Sequence, residues 1–166
     1  MADKTLDDLF YETLKDIYYA ERKILKTLPK MARAAQSEKL KAAFLQHKDE
    51  TDGQIERLQQ VFEIIGKRPR AKTCAAIDGI VEEGEEIMEE FKGSPAHDAG
   101  LLAAAQAVEH YEISRYGTLR AWAQQLGHAE AVKLLDATLA EESKTDEALT
   151  KLAQTAVNSA AQKKAA

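Results

Sequence analysis

Residues 106–116, QAVEHYEISRY, place acidic side chains where a helix should be apolar. Read as a helix, the segment continues an apolar face that includes Leu102, Val108 and Tyr116, and Glu109 and Glu112 lie on that same face. A buried carboxylate costs free energy unless it is paired, protonated or bound to a metal. The two glutamates therefore predict a polar site inside a helical core.

Three further segments carry polar side chains near the middle of their apolar faces. These are Glu21 in the first, His47 and Glu50 in the second, and Glu142 and Asp146 in the last. Acids at one level on four helices are typical of a dinuclear metal site inside a bundle. Carboxylates with one imidazole suit iron, or else manganese, better than copper or structural zinc. The sequence thus predicts two metal ions and no organic cofactor.

The composition favours helices throughout the chain. Only 8 glycines and 3 prolines occur among 166 residues, and good helix formers dominate. This length is typical of one domain with a substantial core. We expect a single all-α domain over residues 1–158 and a disordered tail over residues 159–166.

Charge and hydropathy exclude several classes of protein. The formal net charge is −5 and no arginine-rich stripe is present, so nucleic-acid binding is disfavoured. No apolar stretch approaches the ~18 residues of a membrane span. The first residues, MADKTLDDLF, do not resemble a secretory signal, so we expect a cytoplasmic location.

Helix start and stop residues divide the chain into five helical segments. The first runs over about 5–35, the second ends by Gly66, a shorter third covers about 73–91, the fourth starts at Ser94-Pro95, and the last covers about 128–156. In a helical hairpin, residues equidistant from the turn lie side by side. Glu21 and Glu50 are equidistant from the turn near Ala35, as Glu112 and Glu142 are from Gly127. The turns therefore predict that these acids meet.

Four stretches resemble the YciF-like stress-protein family of the ferritin-like superfamily. They are LKDIYYAERKILKTLPKMA (14–32), HKDETDGQIERLQQVFEIIGKRP (47–69), IVEEGEEIMEEF (80–91) and VEHYEISRYGTLRAWAQQLG (108–127). The resemblance implies an antiparallel four-helix bundle with an extra helix in the crossover between helices two and three. It also implies a homodimer, a di-metal site of the rubrerythrin type and a link to bacterial stress responses.

The resemblance assigns ligand roles position by position. The family pattern counts only the four long helices of the bundle, without the crossover helix. Its single glutamates on the first, second and fourth of these match Glu21, Glu50 and Glu142. Its paired glutamates on the third match Glu109 and Glu112. The family pattern of Glu-x-x-His is missing, because Gly53 and Thr145 stand where the histidines belong. His47 lies one turn before Glu50, and Asp146 is a candidate replacement for the missing histidine of the last helix.

Two functions are compatible with these residues. In the first, the centre binds iron and handles iron, peroxide or oxygen under stress. In the second, the bundle is a non-catalytic dimeric scaffold with a degenerate site. A structural alternative pairs the central acids with Arg57 or Arg120, and Gln54 and Tyr116 are candidates for hydrogen bonds to the site. Whether the protein is an enzyme stays open on this evidence.

Overall fold

The computed structural model describes residues 3–163, which form helices joined by short loops. The helices are α1 (Leu6–Ala34), α2 (Glu38–Ile64), α3 (Ala75–Glu90), α4 (His97–Gln125), α5 (Ala129–Leu152), a π-helical turn (Ala153–Val157) and α6 (Asn158–Ala161). The prediction of an all-α fold is confirmed. No helix of this described part is long and apolar enough to cross a membrane.

Local sequence signals account for most helix ends. Thr5 and Asp8 form a capping box at the start of α1, and the Ser37 hydroxyl accepts a hydrogen bond from the Leu40 amide at the start of α2. Gly66 and Gly127 follow α2 and α4 with φ angles of 69° and 78°, which an L side chain rarely adopts. Pro29 lies inside α1, which continues past it as predicted.

Four long helices enclose the core, and α3 packs on the outside. The hairpin partners α1 with α2 and α4 with α5 are in contact, and the two hairpins meet through α1 with α4 and α2 with α5. The connection between α2 and α4 contains α3, which packs against α4 and α1. The result is the expected bundle with an extra crossover helix. The glutamates of α3 are exposed, as their position outside the apolar stripe predicted.

The start of α4 differs from the prediction. Ser94 does not cap the helix and Pro95 is not its first residue, because residues 91–96 form turns and α4 begins at His97. The Ser94 carbonyl accepts a turn hydrogen bond from the His97 amide at 3.2 Å, and the Ser94 hydroxyl has no partner among the described residues. Asp98 accepts hydrogen bonds from the backbone amides of Gln36 (2.9 Å) and Ser37 (2.7 Å) in the other hairpin. The first turn of α4 thereby holds the loop between α1 and α2.

The end of the chain is helical further than we expected. The helical path continues through Val157 to Ala161, inside the stretch expected to be disordered. Ala153 and Val157 are buried, and this segment packs against α4. The contact of α6 with α4 accompanies the extra helix at residues 159–161, while residues 164–166 of the expected tail lie outside the described residues.

Candidate metal centre

The polar residues at the centre of the bundle come from three of its long helices. Glu109 and Glu112 on α4 and Glu142 on α5 are fully buried, and His47 on α2 is nearly so. Each of the four offers one ligand atom, and these atoms all lie within 4.8 Å of one another. The core-facing acids predicted from residues 106–116 are therefore confirmed as buried and adjacent.

The imidazole of His47 lies between the three carboxylates. Its Nδ1 is 2.9 Å from Oε1 of Glu109, and its Nε2 is 3.9 Å from Oε2 of Glu112 and 3.7 Å from Oε2 of Glu142. Two ligands of one ion bound at ~2.1 Å are separated by at most ~4.2 Å. The spacing from Nε2 to both carboxylates thus suits one ion bound between them.

The buried oxygens of this cluster have no hydrogen-bond partner within the described chain. Both carboxylate oxygens of Glu109, Glu112 and Glu142 are unpartnered, and so is Nε2 of His47. The close approach of His47 to Glu109 does not have the geometry of a hydrogen bond. Buried polar atoms in native proteins are almost always satisfied. A cation bound at the point where these oxygens and Nε2 converge would accept their lone pairs and so satisfy them.

Burial and mutual repulsion shift the pKa values of these groups. Desolvation, and then the neighbouring Glu142, raise the pKa of Glu109 to about 12. Desolvation, and then the charges of Glu21 and Glu142, raise the pKa of Glu112 well above its usual range. Burial lowers the pKa of His47. The imidazole is therefore neutral, as a metal ligand must be, and the acids need either protons or a cation.

Glu21 on α1 adds a fourth buried carboxylate beside the cluster. Tyr116 donates a hydrogen bond of 2.5 Å to Oε1 of Glu21, while Oε2 has no partner. Desolvation, and then the charge of Glu142, raise the pKa of Glu21 to about 8. Tyr116 thus holds one oxygen of Glu21, and no hydroxyl, amide or ring N–H of the described residues donates to the other, which lies beside the Glu112 carboxyl.

Glu50 and Asp146 lie outside the cluster, although the sequence placed them in it. Glu50 is half-buried and accepts hydrogen bonds from Gln46 and Thr145, each 3.1 Å long. Asp146 lies 3.1 Å from Nε2 of His110. In α2 the buried positions run through His47, Thr51 and Gln54, and the neighbouring Glu50 is directed towards Thr145 of α5 instead.

The alternative of a salt bridge to the central acids is wrong for both arginines. Arg57 pairs with Glu141 through hydrogen bonds of 2.8 and 2.6 Å, and Arg120 pairs with Asp136. Gln54 also donates to Glu141, at 3.1 Å. These side chains form a polar rim next to Glu142 and leave the central carboxylates without a lysine or arginine partner among residues 3–163; the only basic side chain beside them there is the neutral His47.

Comparisons with known proteins place this fold in a family. A family described as a domain of unknown function, DUF892, matches residues 5–162. The chain is a member of the DUF892 family. It is 47% identical over 166 residues to Protein YciF of Escherichia coli K12, with 99% of this chain and 100% of YciF covered.

Solved structures of similar proteins share the same architecture. The crystal structure of the E. coli stress protein YciF matches with a TM-score of 0.89 and 47% identity, covering 94% of this chain and 99% of YciF. YcfI of Rhodopseudomonas palustris matches with a TM-score of 0.87 and 46% identity, covering 89% of this chain and 94% of YcfI. A protein of Xanthomonas campestris, 22% identical with a TM-score of 0.72, shares the fold.

Proposed function

We propose that this DUF892 protein is a stress protein that binds divalent transition-metal ions, iron or else manganese, at the centre of its bundle. One observation carries the proposal: the unpartnered oxygens of Glu109, Glu112 and Glu142 converge with Nε2 of His47 in a buried core. No hydroxyl, amide or ring N–H among the described residues donates a hydrogen bond to these oxygens, so only protons shared between the carboxyls themselves could satisfy them in the absence of a cation. The relation to the E. coli stress protein YciF supports the stress role.

We further propose that the centre holds two ions, with Glu21 as a ligand of the second. Four carboxylates of Glu21, Glu109, Glu112 and Glu142, all ionised, would balance the charge of two divalent cations. The free Oε2 of Glu21 supports this, because Tyr116 already satisfies the other oxygen. Glu50 and Asp146, which the sequence predicted as ligands, belong to the surrounding hydrogen bonds in this proposal.

The side chains around the centre would have three roles: binding the ions, orienting a ligand and excluding water. Glu109, Glu112 and Glu142 bind the ions and give up the protons that burial otherwise favours. Tyr116 orients Glu21 through its hydrogen bond. Full burial of these side chains excludes bulk water. When bound, iron would supply electrons to peroxide or oxygen, or would itself be the stored cargo.

A second candidate is a dimeric scaffold whose centre is degenerate. The observation that favours it is the lack of Glu-x-x-His, with Gly53 and Thr145 in the histidine positions and Glu50 outside the cluster. In that case the acids stay protonated, and the protein acts through a homodimeric or partner-binding surface.

Thermal denaturation near neutral pH distinguishes the two candidates. If the centre binds metal, a ferrous or manganous salt raises the Tm of the metal-free protein and EDTA reverses the rise, because the ion binds only the folded state. The Glu112→Gln variant shows no such rise. A Tm that responds to neither metal nor EDTA in the wild type contradicts the metal proposal and favours the scaffold.

A further inference from the structure

Two small cavities adjoin each other between α1, α3 and α4, and one of them also reaches α2. The inner cavity, of about 10 Å³, is lined by His47 of the metal centre together with Ile24, Leu28 and Ala105. The outer cavity, of about 20 Å³, is lined by Met88, Ile80 and the exposed Glu85. One cavity therefore touches the centre and the other reaches the protein surface.

The two cavities share one wall. Thr27, Met31, Val81 and Val108 line both of them. Because the two spaces share these four lining residues, they adjoin each other, and rotamer motions of the shared side chains are the means by which they would join. Together the cavities form a passage, bounded by α1, α3 and α4, from the surface at Met88 to the imidazole of His47.

The passage offers little to a polar molecule. Its shared wall is built from the side chains of Met31, Val81 and Val108, and the Thr27 hydroxyl donates its proton to the Lys23 carbonyl at 2.9 Å. Water needs two to four polar partners to occupy a buried space, and apolar cavities stay dry while they accept small apolar solutes such as xenon. The outer cavity has room for about one small molecule, and the inner cavity is at the lower limit for one, so its lining side chains must move to admit a solute.

The opposite side of the centre is lined by polar and charged side chains instead of apolar ones. There, Arg57, Gln54 and Glu141 form the polar rim with hydrogen bonds of 2.6–3.1 Å. A molecule entering across that rim would have to break charge-assisted bonds, which are among the strongest in proteins. The two sides of the centre thus differ in what each can admit.

We infer that small apolar molecules of the dioxygen class reach the centre through this passage, while the Arg57–Glu141 rim stays closed to them. The inference rests on the proposed metal function for its biological meaning, but the passage itself is a property of the metal-free protein. It assigns dioxygen, rather than a charged or strongly hydrated oxidant, as the class of small molecule that this side of the bundle selects.

Xenon tests the passage without any metal. Crystals of the metal-free protein under xenon pressure should show xenon in one or both cavities, and none at the Arg57 rim. Val108→Phe fills the shared wall and should abolish xenon in the inner cavity, whereas Val108→Ala should increase it. Val157→Ala, a buried valine on the last helical segment, is the matched control and should leave the passage unchanged.

A gentler substitution guards against a folding defect in Val108→Phe. A Cβ at Gly84 would meet the Ala104 Cβ at 3.3 Å at the edge of the outer cavity, so Gly84→Ala narrows that cavity with one methyl group. It should remove xenon from the outer cavity only. Xenon missing from both wild-type cavities, or equal occupancy in wild type and both filling variants, overturns the inference.

The outcomes separate this inference from the proposed function. Xenon in the passage of a protein that binds no metal leaves the passage intact and rejects the metal proposal. Metal binding without xenon in the passage supports the metal proposal and rejects the passage. With both in place, oxidation of bound ferrous iron by dissolved oxygen should slow in Val108→Phe, while the stoichiometry of bound iron stays that of the wild type.

Discussion

Nδ1 of His47 lies 2.9 Å from Oε1 of Glu109, and the two residues come from helices at opposite corners of the bundle. The contact therefore spans the core at its middle. Because burial keeps the imidazole neutral and raises the pKa of Glu109, this is not an ion pair of the usual kind. A cation bound by Nε2 of His47 and by the nearby carboxylates would explain why a neutral imidazole is buried among three carboxyl groups.

His47→Leu should separate metal binding from stability. The variant should lose metal affinity by more than about 100-fold, since even outer partners of metal ligands are worth roughly 10–100-fold. The metal-free protein should keep its stability or gain about 1–3 kcal/mol, because a buried polar group without partners is removed. Metal titration and urea unfolding measure the two effects. A histidine with only a structural role predicts lower stability and unchanged metal affinity.

Glu50→Gln and Asp146→Asn should leave metal binding close to that of the wild type. Both side chains are bound to neighbours outside the cluster, Glu50 to Gln46 and Thr145, and Asp146 to Gln106. Competition with a chromophoric chelator measures the affinity. A loss in either variant as large as that in Glu112→Gln would place that residue among the ligands and contradict the present assignment.

Tyr116→Phe should destabilise the metal-free protein by about 1–3 kcal/mol. The substitution removes the donor of the 2.5 Å hydrogen bond and leaves Oε1 of Glu21 buried without a partner. Chemical denaturation measures the change. In a double-mutant cycle with Glu21→Gln, the two effects should not be additive; additivity would show that the two side chains act independently.

The metal-free protein should lose stability as pH rises through the pKa of Glu21. Burial raises that pKa from 4.5 to about 8, so the protonated carboxyl is favoured in the fold. The contribution is fully present below the unfolded value and is lost as pH rises towards about 8. Glu21→Gln, which stays neutral, should show a smaller decline between pH 5 and 8. Equal pH profiles for both proteins would contradict the raised pKa.

Asp98→Ala should weaken the contact between the two hairpins. Asp98 accepts hydrogen bonds from the amides of Gln36 and Ser37, and charge-assisted bonds of this kind contribute about 1.5–3 kcal/mol each. We expect a cost of at least about 1.5 kcal/mol in urea unfolding. Asp49→Ala, at an exposed position of α2, is the matched control and should change stability by less than about 0.5 kcal/mol. Equal effects would contradict the role of Asp98.

Much of the fold could be predicted from helical periodicity and capping. Thr5, Ser37 and Gly127 mark helix ends in the structure as they do in the sequence. These signals are local, so one chain segment contains all the information. The start of α4 was missed because Ser94-Pro95 has the pattern of a helix cap, whereas residues 91–96 form turns in which the Ser94 carbonyl accepts from the His97 amide.

The centre could be predicted only in part, for a geometric reason. Glu109, Glu112 and Glu142 lie well inside the apolar face of their helices, so periodicity alone identifies them as buried. Glu50 and Asp146 lie at the edge of that face. Successive residues of a helix are 100° apart, so at the edge a side chain and its sequence neighbour can lie on opposite sides of the boundary between core and surface. In α2 the neighbour that turns inward instead of Glu50 is Thr51, which is fully buried.

The role of the polar rim was not predictable from one sequence. Arg57 and Glu141 each look like solvated charges on a helix surface, and nothing in their spacing indicates that they pair across α2 and α5. A salt bridge from Arg57 to the central acids requires Arg57 to lie on the buried face of its helix. Arg57 is not among the buried residues of α2.

The most direct test of the metal centre is the metal content of the protein after anaerobic ferrous loading and desalting. It should be measured by mass spectrometry on the wild type, Glu112→Gln and the control Glu50→Gln. The centre described here predicts about two irons per chain in the wild type and in Glu50→Gln, set by the charge of four buried carboxylates, and a loss in Glu112→Gln. Little bound iron in all three proteins, with no manganese in a parallel loading, would contradict the metal centre.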